Sequence, residues 1–186
     1  HGSVLLEELV SAWTGRDKVR FAELRQLVGM IAETIGRHGN AREVVEALAM
    51  FEPDPGTNPA WLGVYLSGMA GLDTGLAGGG RSLGDPPGDF GRQRLDDMWA
   101  RIIQWSVRPP EAGMGSVATQ LLRSGPEAVA VPALIKQFDG GNVDALRSLA
   151  KFPAKKIGDV VLARYSGLSA EGRRAALDVM IALGTH

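Results

Sequence analysis

Apolar side chains return every three or four residues along this chain, the period of an α-helix, and seldom alternate as a half-buried strand requires. The spacing predicts helices over about Val4–Trp13, Lys18–Arg37, Ala41–Phe51, Pro59–Leu72, Phe90–Val107, Ser116–Arg123, Pro126–Phe138, Val143–Phe152, Lys155–Tyr165 and Ala170–Leu183. No Asn-Gly or Asp-Gly turn joins two β-branched runs, so strand hairpins are not expected. The second helix shows the period most clearly. Leu24, Leu27, Val28, Ile31 and Ile35 fall on one face, Glu23, Arg25, Glu33 and Arg37 on the other. Gly39-Asn40 should end it, since both residues tolerate a left-handed backbone. Leu95, Trp99, Ile102 and Ile103 make a similar stripe in the fifth helix, and Ser169 is placed to cap the last.

Most connections are short. The exception runs from Gly75 to Gly88 through Gly78-Gly79-Gly80 and Pro86-Pro87, and reads as a mobile surface loop or as a seam between two helical lobes. Arg108-Pro109-Pro110 makes a second break. The expectation is one all-α domain over residues 4–186, with His1-Gly2-Ser3 a tag remnant on an excised domain.

Many short helices in series raise the question of repeats. Moving Val131–Phe152 forward by 27 residues sets Ile135 on Leu162, Phe138 on Tyr165, Asn142 on Ser169 and Arg147 on Arg174. An apolar position, an aromatic helix end, a candidate cap and a basic residue keep register across two helical hairpins. One hairpin cannot bury its apolar face alone, whereas stacked neighbours bury it between them and grow a curved rod.

The stretch Val131-Pro132-Ala133-Leu134-Ile135-Lys136-Gln137-Phe138-Asp139 resembles the first helix of a HEAT repeat, with an early proline and a closing acidic residue. Asn142-Val143-Asp144-Ala145-Leu146-Arg147 resembles the second helix, and Ser169–Leu177 repeats its pattern. The resemblance covers about a third of the chain. It implies an α-α superhelix, a HEAT-like solenoid of stacked hairpins. Leu168–Asp178 and Leu66–Leu72 are also similar to the HEAT-like region of large membrane-bound dehydrogenase proteins of Planctomycetes and their relatives. Those proteins carry a propeller before the helical region and a c-type cytochrome after it. That likeness implies a helical spacer between redox modules, in an extracytoplasmic setting.

Composition narrows the chemistry. Hydrophobic residues make up 45% and charged residues 22%, enough apolar side chain for a packed core. The net charge of −1 lacks the basic excess of a nucleic-acid or anionic-membrane binder. The chain has no cysteine, which removes disulfides, thiolate metal sites, a cysteine nucleophile and covalently attached haem from these residues. The longest apolar stretch, Trp61–Leu72, is short for a membrane span and is closed by Asp73.

Each candidate for chemistry has a plainer structural reading. Gly75–Ser82 nearly fits a phosphate-binding loop, but Arg81 replaces the lysine and the segment follows a helix rather than a strand. Asp85, Asp89, Asp96 and Asp97 cluster oxygen without calcium-loop spacing. His38 is the one histidine away from the termini, and it sits at a helix end where a cationic ring favours the dipole. Trp61 and Tyr65, four apart, share a helix face, as core pairs do, and Trp99 and Trp105 complete the aromatic candidates. Arg92, Arg94, Arg101 and Arg108 are interleaved with Asp89, Asp96 and Asp97, the composition of a solvated, ion-paired face. No catalytic set, cofactor site or metal site can be assembled, so the expectation is a non-enzymatic module that docks protein. Arg81, Arg92, Arg147 and Arg174 are its candidate interaction residues, with no nucleic-acid partner and no membrane insertion by this segment. The alternative is a nucleic-acid-binding or DNA-repair solenoid, which would need a continuous basic groove.

Overall fold

A computed structural model describes residues 2–13, 21–52, 59–109 and 111–184. They form α1 (Gly2–Trp13), α2 (Phe21–His38), α3 (Ala41–Met50), α4 (Pro59–Gly78), α5 (Arg92–Val107), α6 (Met114–Leu122), α7 (Glu127–Asp139), α8 (Val143–Leu149), α9 (Ala154–Arg164) and α10 (Ala170–Ala182), with one 3-10 turn at Tyr165–Gly167. Among the described residues there is no strand, only an isolated bridge between Ser82 and Asp85. The all-α expectation therefore holds. The predicted helix start at Lys18–Arg20 lies outside the described residues.

The N-terminal half is organised around α2 and α4. Gly29 approaches Ser67 and Gly71, while Gly36 and Arg37 approach Leu72, Gly75 and Gly78, so numbering rises together and the two helices run parallel. Helix α3 is the return crossing between them. The approach is backbone on backbone: a Cβ at Gly71 would stand 2.0 Å from the Gly29 carbonyl oxygen, and one at Gly75 would stand 2.1 Å from that of Glu33. Only glycine allows helices this close. The predicted end of the fourth helix at Leu72 is wrong by more than a turn, because Asp73, Gly75 and Gly78 all lie inside α4. Gly75 and Gly78, expected in a loop, belong to the face of α4 that meets α2.

The stripe predicted for α2 needs two corrections. Leu24, Val28, Ala32 and Ile35 are buried, but Leu27 is 39% exposed. Arg25, assigned to the solvent face, is half-buried and ion-paired with Glu111 across the molecule. Gly39 and Asn40 do not adopt a left-handed backbone. Asn40 starts α3 instead, in a reciprocal capping box. Its side chain accepts from the Glu43 amide at 3.0 Å, and Glu43 accepts from the Asn40 amide at 3.2 Å.

The C-terminal half is a series of hairpins: α5 with α6, α7 with α8, and α9 with α10. Helix α6 packs on α8, and α8 on α10. Buried positions on these three helices recur at the 27-residue interval: Ala118, Ala145 and Gly172; Leu121, Ser148 and Ala175; Leu122, Leu149 and Ala176. In the first helices, buried Ala130 and Leu134 recur as buried Ile157 and Val161. Asn142 and Ser169 cap α8 and α10, as their matched positions predict. The pairing of Ile135 with Leu162 fails as a shared core position, since Leu162 is 60% exposed.

Polar groups pin the hairpins together. Buried Gln137 of α7 donates to Ser106 Oγ of α5 at 2.8 Å, and accepts from Thr119 Oγ1 of α6 at 2.9 Å and from Asn142 Nδ2 at 3.1 Å. One amide thus joins three helices and a cap, leaving little of its hydrogen-bonding capacity unmet in a dry place. The apolar core is continuous, running from Leu6 through Trp99 to Val179.

Candidate interaction surface

The four arginines singled out from the sequence do not converge. Arg81 follows the end of α4 and reaches back to the C-terminus of α2. Its guanidinium donates to the Gly36 carbonyl, to Gly39 O at 3.3 Å and to Arg37 O at 3.5 Å. It fills the role of a C-terminal helix cap, satisfying carbonyls that the helix cannot bond itself. The glycine segment before it forms no anion cradle. The amides of Gly79, Gly80 and Arg81 donate to carbonyls of the last turn of α4, at 3.0, 3.1 and 2.8 Å for the shortest bonds.

The remainder of this segment is pinned on both sides rather than lying free. Leu83 and Phe90 are buried. Ser82 Oγ donates to the Ser124 carbonyl at 3.2 Å. The turn after α6 is thereby joined to the end of α4. Close by, Ser124 Oγ donates to Asp73 Oδ2 at 2.9 Å, while Asp73 Oδ1 is buried without a partner. Burial raises the Asp73 carboxyl above its ordinary value, opposed by the Ser124 bond and the charge of Arg123.

Arg92 stands exposed at the start of α5. Its neighbour Arg94 is engaged: it holds Glu52 through two nitrogens, the shortest contact 2.7 Å, and its guanidinium lies 4.5 Å from the centre of the Phe90 ring. The Glu52 hydrogen bond is the main cause raising Arg94 above its usual value. Exposed Asp89 accepts from the Gly91 amide at 3.1 Å, and Asp97 accepts from Gln93 at 3.1 Å. Among the described residues, no three histidine or acidic side chains gather as metal ligands would. His38 is exposed at the last position of α2. Trp61 and Tyr65 are half-buried against the core, their rings tilted by 37° at 6.3 Å, and Trp99 and Trp105 are buried. No helix among the described residues is long and apolar enough to cross a membrane.

Arg147 and Arg174 occupy matched positions on α8 and α10, and both are exposed. Arg147 pairs with Asp144 one turn back, at 3.0 Å. Beside these helices, at the end where the hairpins join, lies a shallow cleft of about 330 Å³ bordered by Phe138, Asp139, Arg164 and Leu168. A smaller hollow of about 170 Å³ continues it towards the start of α10. Its wall is an ion pair that sequence reading missed. Arg164 of α9 grips Asp139 at the end of α7, through Nε and through Nη2 at 3.2 Å. The Arg164 hydrogen bond holds the Asp139 carboxyl below its ordinary value, and the same bond raises Arg164. The pair clasps adjacent hairpins across 25 residues of chain. Arg164 stands 27 positions beyond Gln137, so the repeat register marked the place but gave no hint of a charge.

The surface thus offers matched cations on stacked helices and a shallow, charge-balanced cleft. Comparison with known proteins adds no further assignment: no family model, no curated protein and no solved structure matches the chain.

Proposed function

We propose that the chain is a HEAT-like helical-repeat module that spaces domains and docks other protein, without chemistry of its own. The observation that carries the reading is the threefold 27-residue register of buried positions on α6, α8 and α10, with those helices packed in that order. Such an arrangement extends by neighbour contacts, and its use is the length and surface it provides. Arg147 and Arg174 repeat along that surface and are its leading contact residues; Arg92 is a further exposed one. Arg81 is occupied as a cap and contributes to the surface only through what it holds in place. The resemblance of Leu168–Asp178 and Leu66–Leu72 to the helical region of membrane-bound dehydrogenases supports, as part of this proposal, a setting between a propeller and a c-type cytochrome of an extracytoplasmic redox protein.

Two measurements test this. A photo-crosslinking residue at position 147 or 174, in the full-length parent protein, should capture a neighbouring domain or a second polypeptide; no capture from either position overturns docking through these arginines. The parent's reduced-minus-oxidised spectrum should show c-type haem, and its absence removes the redox setting while leaving the repeat reading intact. The nucleic-acid alternative predicts DNA binding that falls steeply with salt. The pairing of Arg94 and Arg147 with acids, and the net charge of −1, favour the protein-docking reading.

A further inference from the structure

We infer that the outward face of α10 is a seat for one more helical hairpin, whose second helix lies along α10 as α10 lies along α8. This rests on the stacked-hairpin reading above and names the partner of its last surface. The direction of stacking is marked by a hydrogen bond: Ser148 Oγ of α8 donates to the Thr119 carbonyl of α6 at 3.3 Å. The Thr119 side of α6 therefore faces the Ser148 side of α8. Thr119 is fully buried, and so is its counterpart 27 residues on, Leu146. The next counterpart, Arg173, is exposed.

Neighbouring positions repeat the contrast. Ala150 packs against the core, whereas its counterpart Leu177 is 51% exposed. Ile135 also packs against the core, and its counterpart Leu162 on α9 is 60% exposed. Ile181, one turn beyond Leu177, is 66% exposed. At 100° per residue, Ala170, Arg174, Leu177 and Ile181 share a face opposite the buried Gly172, Ala176 and Val179, with Arg174 the one charge on it. Helix α10 thus carries apolar side chains on two opposite faces, the pattern of a helix inside a stack, yet only one face is covered. The existing contacts state what chemistry fits the other. The buried positions in register on α8 and α10 carry small residues, Ala145 and Ser148, then Gly172 and Ala175, and Ser148 is bonded to the preceding helix. The seated helix should likewise present alanine, serine or glycine to Leu177 and Ile181.

The probe is the chain's own last hairpin. The whole chain is extended after Gly184 by a flexible linker and a second copy of residues 153–184, and hydrogen exchange is followed at the amides of the original α10. We expect about tenfold or greater slowing there, lost on Leu177→Glu with Ile181→Glu in the original copy. Circular dichroism of that double variant in the unextended chain should match the parent, since both side chains are exposed. No slowing, or slowing that survives both substitutions, overturns the inference. If the unextended chain is a dimer that the double variant dissolves, a second copy is the occupant and the hairpin assignment is wrong. Ser148→Trp in the unextended chain separates this from the underlying reading, because Ser148 is 4% exposed and bonded to α6. If that variant is destabilised and the seat fails, the inference alone falls; if its thermal midpoint matches the parent, the stacked arrangement falls with it.

Discussion

Asp73 is the residue most at odds with its surroundings. It is 4% exposed in the middle of α4, and one carboxylate oxygen has no partner. A carboxyl whose folded value lies above its usual 3.8 adds stability that is fully present below that value and is lost as pH rises through the raised one. Asp73→Asn keeps an acceptor for Ser124 and removes the charge. It should raise the thermal midpoint at pH 7, with the gain shrinking towards pH 4; an unchanged or lowered midpoint at pH 7 would refute the account. The Asp139–Arg164 clasp has the opposite sign. Its contribution is present above the ordinary aspartate value and is lost as pH falls through the lowered one. In sequence, Asp73 looks like the stop of an apolar run, because a lone carboxylate ordinarily ends burial. What keeps it inside is Ser124, 51 residues away, which no local pattern reports.

Helices are where the sequence was most legible, and the glycines are where it misled. Each predicted helix has a counterpart among the described residues, though α4 runs past its predicted end, since three- and four-residue apolar spacing is a local signal. The run from Gly75 to Gly80 carries the same residue types whether it is a loop or a close helix contact, and only the opposing Gly29 and Gly36 decide. Gly71→Ala should therefore cost about 3 kcal/mol or more, because backbone must move to admit the methyl group. Gly78→Ala meets only the Arg37 side chain, at 3.5 Å or beyond, and should lie within about 1 kcal/mol of the parent. Equal losses in urea unfolding would contradict the glycine contact. Arg81→Met keeps the length of the side chain but strips three carbonyls at the end of α2 of their donor, and should destabilise by about 1–3 kcal/mol. A silent Arg81→Met would return that residue to the surface candidates. None of this capping was visible in the sequence, where Arg81 stood out only as the wrong residue for a phosphate loop.

At the scale of the molecule, the two halves are held by different means. The first is joined by helix backbones in contact, the second by neighbouring hairpins in series. The Asp139–Arg164 clasp ties α9 to α7, beside the buried Ile157 and Val161 of α9. Arg164→Ala should speed hydrogen exchange throughout α9 and leave α2 and α4 unchanged; equal change in both halves would show that the clasp acts globally. The candidate surface was only partly legible. The matched arginines followed from the repeat, while the clasp and the pinned segment after α4 depend on partners 25 to 42 residues distant.

The parallel contact of α2 with α4 carries a mechanical consequence. Side-chain layers yield by changing rotamer, but two backbones meeting at glycine have no such soft layer between them. Under a twist or a pull the chain should therefore hold through α2 and α4 and comply first by peeling hairpins from the other end, beginning with α9 and α10.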